Sequence, residues 1–467
     1  MESVSCKWLL LSFVCLSCAN SALCAVDGVK GGKVRGVSLG NWLVIEGWMK
    51  PALFNNITNG DMLDGTKVRF QSSKSKKYVS AKYGGGAEVF VDIDEANDWE
   101  TFGLWRVNES VYQFRTMDGQ FLSCNGQGAL VTATSILPSL NGTFTIERSS
   151  FDRVIIKHSS GKYLQASGNE LKADFVGTSG FTDGNAAIFV MTKHGDMQGE
   201  YQLSNGHGRE NATKVLTDHR NSYITREDFE YLSKHDINTV RIPVGWWIAK
   251  DPNPPAPYVG GSLAALDNAF KWAKEFEIKC IINLHAAPGS QNGRDHSSSR
   301  DDIIDWTKSD NIQKTLEVIE FLATKYICLS LAITCYCSAI SSYTYSYNSH
   351  NYILTIAYSS RLFSFCLLLM SMPSLIFRYG NDTSLLGIDL LNDPNVSFDV
   401  LQKYYNDGYN IVRKHSSKAY VIMCQLSSEE PINLYRANTG KSNAVLDMHY
   451  YNTDSTFENM TVQENIN

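Results

Sequence analysis

The chain has 467 residues and a net charge of −6 at neutral pH, with 42 Lys plus Arg against 48 Asp plus Glu. This length accommodates two or three domains, and a chain that is 43% hydrophobic and 19% charged is typical of a folded globular protein. The acidic balance gives no reason to expect a nucleic-acid or anionic-membrane partner, so neither is expected.

The N-terminus predicts a secretory signal peptide over residues 1–25. Lys7 supplies positive charge, residues 8–18 form an apolar stretch, and small residues follow up to Ala25. An uncleaved membrane anchor is the alternative, but the apolar stretch is short for a membrane span. Seven Asn-X-Ser/Thr sequons suit a secreted, glycosylated chain, and they begin at Asn56, Asn108, Asn141, Asn211, Asn381, Asn395 and Asn459. An extracellular location without a stable membrane anchor is therefore expected.

The cysteines indicate neither a disulfide framework nor a metal site. Four of the eleven lie in or beside the signal peptide, and four lie in the segment 325–377 described below. The remaining three, Cys124, Cys280 and Cys424, are scattered and have no metal-ligand spacing. No metal and no cofactor are expected.

Residues 60–195 are predicted to form an all-β module inserted after a first segment, 26–59. Three similar units begin at Val68, Tyr112 and Val154, and each reads as a strand, a polar turn and a second strand with an aromatic residue. Three such hairpins favour a β-trefoil, in which each hairpin closes one third of a barrel. Carbohydrate binding and a purely structural role remain equally open for this module.

Residues 196–324 and 378–467 alternate helical patterns with short apolar runs, which is typical of a parallel α/β fold. Strands are predicted near 36–44, 239–244, 279–284, 386–392, 420–424 and 444–449. Six is two fewer than a closed (β/α)8 barrel requires.

The segment 325–377 has an anomalous composition. From Ile327 to Phe377 it contains no Gly, Asp, Glu, Lys, Gln, Val or Trp and is rich in Ser, Tyr, Leu, Ile, Cys and Phe. A translated intron has this character. A membrane span over 362–377 is the alternative, although Pro373 and scattered serines weaken it. Sequencing the mature transcript distinguishes the two.

Five sequence blocks together resemble glycoside hydrolase family 5, in particular its exo-1,3-β-glucanase (glucan 1,3-β-glucosidase) subgroup. They are RGVSLGNWLVIEGWMKPALF (35–54), VRIPVGWW (240–247), NLHAAPGSQNG (283–293), LLGIDLLNDP (385–394) and DMHYYN (447–452). The resemblance implies a (β/α)8 TIM barrel, and residues 60–195 resemble the fascin-like module inserted in plant members. It also implies a monomeric cell-wall enzyme that releases terminal glucose from β-1,3-glucan with retention of configuration.

The resemblance assigns roles to seven positions. Asp393 stands at the acid/base position, where the family has Glu. Asn392 matches the residue that hydrogen-bonds the sugar 2-OH, and Arg241 matches the arginine near the nucleophile. The other substrate-binding positions are Glu46, His285, His449 and Tyr451, and Trp48 and Trp247 are weaker candidates for aromatic residues of the cleft.

The family's nucleophile is expected to be absent. It lies in a Gly-Glu-Trp-like block after a later strand, and no such block follows His449 in these 467 residues. The barrel is therefore expected to be incomplete at its C-terminus, with low or no activity. A non-catalytic carbohydrate-binding cell-wall protein and a non-functional product of a gene-prediction error are the alternatives.

Overall fold

The computed structural model describes most of the chain. The described residues are 33–124, 130–149, 152–177, 180–182, 184–327, 384–426 and 431–449. The predicted signal peptide, almost all of the anomalous segment and Tyr451 lie outside these ranges, so their predictions stay untested.

One of the two sheets in the described residues is parallel and six-stranded. With strands numbered along the chain, it contains β1 (Gly36–Ser38), β14 (Thr239–Gly245), β15 (Lys279–Ala286), β16 (Leu385–Asp389), β17 (Tyr420–Cys424) and β18 (Ala444–Asp447). Their spatial order follows the chain order, and every neighbouring pair is parallel. The six predicted strands are thereby confirmed, although the first ends at Ser38 rather than at residue 44.

The helices in the described residues alternate with these strands. They are α1 (Glu200–Ser222), α2 (Arg226–Lys234), α3 (Ser262–Glu275), α4 (Ser309–Ile327), α5 (Phe398–His415) and α6 (Pro431–Ala437). Residues 325–327, which the sequence analysis places in the anomalous segment, form the last residues of α4. In this part of the chain no helix is both long and apolar enough to cross a bilayer.

The parallel strands are nearly uniform in their apolar character because helices cover them. In α3, Leu266, Ala269, Phe270 and Ala273 recur at helical spacing and belong to the same buried core as Ile282 of β15. Side chains from β1 and α5 join the same core. The sheet edge formed by the strand C-termini is therefore held on a packed scaffold.

The second sheet is antiparallel and occupies the predicted insert. Its twelve strands are β2 (Lys67–Ser72), β3 (Tyr78–Ser80), β4 (Phe90–Ile93), β5 (Phe102–Arg106), β6 (Val111–Arg115), β7 (Phe121–Cys124), β8 (Val131–Ser135), β9 (Phe144–Arg148), β10 (Arg153–His158), β11 (Tyr163–Ser167), β12 (Glu170–Phe175) and β13 (Ile188–Gly195). The three predicted hairpins correspond to β2–β3, β6–β7 and β10–β11, and all three are paired.

The pairing of these twelve strands repeats three times. In each group of four, the first strand pairs with the second and the fourth, and the second pairs with the third. The fourth strand of each group then pairs with the first strand of the next, and β13 pairs with β2 to close the ring. The insert has its own apolar core, separate from that of the parallel sheet.

A partly buried polar network joins the insert to the α/β part. The carboxylate of Asp64, which has no exposed surface, accepts hydrogen bonds from Arg300 Nε at 2.7 Å and from Asn205 Nδ2 at 2.6 Å. The Arg300 guanidinium also lies over the Trp105 ring, 3.7 Å from its centroid. Asp301 binds Arg115 Nη1 at 2.6 Å and the Trp105 indole. These contacts fix the insert against the α/β part, next to the strand ends.

Candidate active site

The chemically active side chains meet where the parallel strands end. This placement follows from the fold, because parallel strands bring their carboxyl ends to one edge. The residues that meet there are Glu46 after β1, Arg241 on β14, His285 on β15, Asn392 and Asp393 beyond β16, Cys424 on β17, and Asp447 and His449 at β18.

Arg241 lies at the centre of this group. Its Nη2 donates to Asp389 Oδ2 at 2.9 Å and to Asn392 Oδ1 at 2.8 Å, and its Nε donates to the same Asp389 oxygen at 3.2 Å. Asp447 Oδ2 is 3.6 Å from Nη2. With its oxygen held by Arg241, Asn392 has its Nδ2 group available to a ligand.

Asp389 is an important residue that the sequence analysis missed. It has no exposed surface, and its Oδ2 also accepts a hydrogen bond from Asn283 Nδ2 at 2.7 Å. Burial, reinforced by the negative charge of Asp447 and opposed by Arg241, raises the pKa of Asp389 to about 6. Its only signal in the sequence is an acidic residue inside an apolar run, LLGIDLLN.

We expect stability to depend on pH through Asp389. The pKa of Asp389 is about 6 in the folded chain, whereas the usual Asp value of 3.8 applies to the unfolded chain. Between these two pH values the folded chain therefore binds more protons than the unfolded chain. The free energy of unfolding therefore falls as pH rises through this window, by roughly 3 kcal/mol in total.

Asp389→Asn removes this titration while keeping an oxygen that can accept from Arg241. Melting temperatures of both proteins, measured at intervals from pH 4 to 7, should show a decline in the native protein that is much weaker in the variant. Parallel curves for the two proteins would rule out Asp389 as the source.

A chain of hydrogen bonds sets the tautomer of His285. Because Asn283 Nδ2 donates to Asp389, its Oδ1 faces His285 Nδ1 at 2.7 Å. An amide oxygen only accepts, so Nδ1 carries the hydrogen and Nε2 is left as an acceptor. Burial, reinforced by the neighbouring His296 imidazole and the charge of Arg241, holds the pKa of His285 well below its usual range. A neutral imidazole therefore presents an acceptor to the site, with Nε2 3.9 Å from Glu46 Oε1.

The turn that carries Asn392 and Asp393 is clamped by the loop after β15. Gln291 Nε2 donates to the carbonyls of His285 and Asn392 at 2.7 and 2.9 Å, and Asn292 Nδ2 donates to the Asp393 carbonyl at 2.8 Å. Asp393 has a φ of 44°, in the left-handed region that few residues other than glycine adopt. This strained conformation persists because the hydrogen bonds from Gln291 and Asn292 hold the carbonyls of Asn392 and Asp393 in place.

His296 is a second neighbour of Asp393 that the sequence analysis missed. Its Nε2 accepts from Asn292 Nδ2 at 2.8 Å and lies 3.6 Å from Asp393 Oδ2. Burial lowers the pKa of His296, although the Asp393 charge opposes this effect. The side chain of Asp393 thus has a neutral polar neighbour and is about one third exposed.

Three further side chains of the site lie close together at the ends of β17 and β18: Asp447, His449 and Cys424. His449 Nε2 lies 3.2 Å from Asp447 Oδ2 and 3.7 Å from Cys424 Sγ. The hydrogen bond to Asp447 raises the pKa of His449. Burial opposes ionisation of Asp447, but the hydrogen bond from His449 and the charge of Arg241 outweigh it, so the pKa of Asp447 lies below its usual value.

This trio also offers sulfur, nitrogen and oxygen atoms within 4.8 Å of one another, as a metal site would. Burial raises the pKa of the Cys424 thiol far above its usual value. One feature disfavours a metal there: the Arg241 guanidinium, whose Nη2 is 3.6 Å from Asp447 Oδ2, repels a second cation.

The two tryptophans predicted as cleft residues differ. Trp48 is 72% exposed, and its indole donates to Glu46 Oε2 at 3.2 Å. The prediction for Trp247 is wrong, because this residue is fully buried and stacks on Tyr258 at 4.1 Å with the rings 7° from parallel. The chain turns into a 3-10 helix at Trp246–Lys250, which directs Trp247 into the interior.

Family models match two parts of this chain. The model of the cellulase family (glycosyl hydrolase family 5) matches residues 203–330, and a domain of unknown function, DUF7910, matches residues 59–193. The first match contains Arg241 and His285, and the second coincides with the all-β insert.

Curated relatives include fungal glucan 1,3-beta-glucosidases. One from Yarrowia lipolytica is 31% identical over 265 residues, which is 56% of this chain and 51% of that protein. A probable glucan 1,3-beta-glucosidase A from Emericella nidulans is 44% identical over 128 residues, or 27% of this chain and 31% of that protein. The chain thus spans about half the length of the first relative and a third of the second.

A solved structure, the rutinosidase from Aspergillus niger, aligns with 55% of this chain and 62% of its own. The two sequences are 17% identical over the aligned part, with a TM-score of 0.39.

Proposed function

We propose that this chain, which carries a cellulase domain of glycosyl hydrolase family 5, binds the terminal glucosyl unit of β-1,3-glucan at the strand-end site. The observation that carries the proposal is the arrangement of Arg241, Asn392 and His285, each of which is oriented by a hydrogen bond to a neighbouring side chain. Relatives named as glucan 1,3-beta-glucosidases support this choice of substrate.

The orientation of these groups suits a sugar. Asn392 Nδ2 offers a donor to the 2-OH, His285 Nε2 offers an acceptor, and Glu46 offers a carboxylate to hydroxyls of the same ring. Burial raises the pKa of Glu46, although the hydrogen bonds from the Trp48 indole and from the backbone of Asn41 oppose this. Oriented polar groups on a rigid scaffold bind hydroxyls well because little freedom is lost on binding. Tyr451, also assigned to this subsite by resemblance, remains a prediction.

Asp393 is the proposed acid/base. It would donate a proton to the oxygen of the leaving sugar, and a second carboxylate about 5–5.5 Å away would attack the anomeric carbon in a retaining mechanism. Asp is one methylene shorter than Glu, so its carboxyl is withdrawn by roughly 1.5 Å. A displacement of that size costs on the order of 10²-fold in rate.

We also propose that the second carboxylate, the nucleophile of a retaining mechanism, is lacking at this site. Among the described residues, Asp389 and Asp447 are carboxylates near Arg241, but Asp389 is fully buried and Asp447 Oδ2 is hydrogen-bonded to His449 at 3.2 Å. We therefore assign neither of them as the nucleophile. From the described residues, the site is therefore proposed to bind the glucan end and to hydrolyse it weakly or not at all.

Replacing Asp393 with Glu, the residue that the family has at this position, tests the proposal directly. Asp393→Glu restores the length of the acid, but without a nucleophile it should leave glucose release from laminari-oligosaccharides at the background rate. The measurement is glucose release by the native chain and by the variant, with folding checked by circular dichroism. A rise of 10-fold or more in the variant would show that a working nucleophile is present and would sink this part of the proposal.

A second candidate function is carbohydrate binding by the insert. The threefold pairing of its twelve strands supports a β-trefoil, of the fascin-like kind predicted from the sequence. Tyr83 and Trp99 favour a ligand there, because they are 75% and 43% exposed and their ring centroids are 5.3 Å apart. Tyr83 also has a φ of 61°, a conformation that costs free energy in a non-glycine residue.

Retention of the native chain on an immobilised β-1,3-glucan column tests this function when it is compared with Tyr83→Ala. If the insert binds glucan, the variant elutes earlier, whereas equal elution removes the insert as a binding module.

The cellular setting is proposed on the same basis. We propose secretion to the cell wall, which the sequons support, and a monomeric state; a β-glucan partner agrees with the relatives' names. The anomalous segment is proposed to derive from a translated intron, as its composition suggests.

A further inference from the structure

Glu46 reaches the candidate active site on a buried loop rather than on a strand. β1 ends at Ser38, and residues 39–46, called the β1 loop, lead from it to Glu46. Residues 41–45 have no exposed surface. Buried backbone groups outside regular structure need hydrogen-bond partners. The partners of the β1 loop therefore decide where the Glu46 side chain lies.

The backbone around Glu46 is held at three successive NH groups, each by a different acceptor. The bonds run from Ile45 N to Glu200 Oε2 at 3.2 Å, from Glu46 N to Asn41 Oδ1 at 2.8 Å, and from Gly47 N to the Gln198 carbonyl at 2.8 Å. With the backbone fixed on both sides, Glu46 Oε1 lies 3.9 Å from His285 Nε2. Two of the three acceptors are side chains, so substitution can remove them one at a time.

Asn41 closes the β1 loop in a conformation that few other residues adopt. Its φ is 56°, in the left-handed region that Asn and Gly tolerate best. Its Nδ2 is buried without a hydrogen-bond partner among the described residues, and an unpaired buried donor costs stability. The amide oxygen is therefore the part of the side chain that the loop uses. The backbone of Asn41 also hydrogen-bonds the Glu46 carboxylate itself.

His219 of α1 holds the other side of Asn41. Its Nε2 lies 2.6 Å from the Asn41 carbonyl oxygen, and Lys50 Nζ lies 3.4 Å from its Nδ1. A carbonyl only accepts and an ammonium group only donates, so Nε2 carries the hydrogen and Nδ1 accepts. Burial lowers the pKa of His219 to about 4, so the ring is neutral near pH 7 and can keep this tautomer. The Asn41 backbone is thus fixed from the side away from Glu46.

α1 reaches the β1 loop from both of its ends because it is kinked. Gly208 interrupts the helix with a φ of 70° and a ψ of 158°. Glu200 and Arg220 would be about 30 Å apart along a straight helix. Instead, Arg220 Nη2 donates to Glu200 Oε1 at 2.9 Å, and both side chains are buried. The fold-back at Gly208 therefore brings Glu200 and His219 to the same loop, with the Glu200 carboxylate held in place.

We propose that Asn41, Glu200 and His219 are positioning residues of the glucosyl site, the part of the strand-end site where the terminal glucosyl unit is proposed to bind. They fix the backbone that directs Glu46 towards the sugar, and they act on the sugar only through Glu46. This rests on the proposed function, because the position of Glu46 affects binding only if a sugar occupies that site.

A double-variant cycle tests the proposal, with laminaritriose affinity measured by ligand-observed NMR titration of the full chain. Glu46→Ala should weaken binding at least about tenfold, because hydrogen bonds to a charged group are lost. Asn41→Gly keeps the left-handed backbone but removes Oδ1, and it should weaken binding severalfold. The double variant should bind as Glu46→Ala does, since a misdirected carboxylate has little left to lose. Asn41→Asp keeps the oxygen and should retain most of the native affinity.

Asn443→Gly is the matched control. Asn443 also has a left-handed φ, of 53°, and its side chain donates to the Ser417 carbonyl, but it precedes β18 at the end of the strand away from the site. This variant should bind as the native protein does. His219→Leu enters the same cycle and decides the question if circular dichroism shows that Asn41→Gly is unfolded.

The outcomes separate the two proposals. If the native protein binds no laminaritriose, the proposed function fails and the positioning proposal fails with it. If the native protein binds but Asn41→Gly binds equally well, only the positioning proposal is overturned. The same holds if the losses of Asn41→Gly and Glu46→Ala add up in the double variant, because a purely structural role for Asn41 would act independently of Glu46.

Discussion

Replacing Arg241 with Met should lower the free energy of unfolding by about 3–5 kcal/mol near neutral pH. The change leaves the Asp389 carboxylate buried without its cation, because Arg241 supplies two of the three hydrogen bonds that this carboxylate accepts. Met fills a similar volume, so the loss reports charge rather than a cavity. Urea unfolding at about pH 7.5, followed by fluorescence, measures it.

A double variant separates the mechanism from simple loss of packing. Arg241→Met combined with Asp389→Asn removes both charges and should recover most of the stability, since replacing a whole buried pair is often nearly neutral. Arg226→Met is the matched control, because Arg226 forms an exposed pair with Glu275. It should cost much less than Arg241→Met, because exposed ion pairs contribute little to stability. Equal losses for Arg226→Met and Arg241→Met would contradict this account.

Replacing Arg300 with Met should have the second largest effect and should act at the junction. Asp64, which has no exposed surface, would lose its ion-pair partner and keep a neutral amide and a backbone NH. Burial already raises the pKa of Asp64 despite Arg300, so its ionised form depends on that cation. We expect a loss of about 3 kcal/mol or more, together with faster proteolysis at the ends of the insert.

The control for this junction is Lys77→Met, which removes a largely exposed pair with Asp94 on the insert. That variant should behave as the native protein does in limited proteolysis. Adding Asp64→Asn to Arg300→Met should restore much of the lost stability. If Arg300→Met melts and digests like the native chain, the buried network does not hold the insert in place.

The elements that the sequence predicted best have strong local signals. The apolar runs that contain Arg241 and His285 are β14 and β15, and the run that precedes Asn392 is β16, because strands covered on both faces read as continuous hydrophobic segments. The three hairpins of the insert were recognised from their repeat. The pairing of β13 with β2, which closes the ring, depends on contacts between residues more than 100 positions apart and has no local signal.

The site residues that escaped prediction depend on three-dimensional neighbours. Asp389 looks like one polar residue in a strand, and only the structure shows that Arg241 and Asn283 both bind it. His296 lies in a loop without periodicity. The prediction for Trp247 was wrong because an aromatic residue just past a strand end has the sequence context of a cleft residue. The 3-10 helix at Trp246–Lys250 directs its side chain into the interior instead.

Binding of laminaritriose to the native chain and to Asn392→Ala is the most direct test of the glucosyl site. Arg241 Nη2 donates to Asn392 Oδ1, but Arg241 keeps its hydrogen bonds to Asp389 when Asn392 is replaced, so the variant should fold normally. The account predicts saturable binding by the native protein and a loss of at least about tenfold in affinity in the variant, as expected when a hydrogen bond in a charged network is removed. Equal affinity of the two proteins for the sugar would contradict the account.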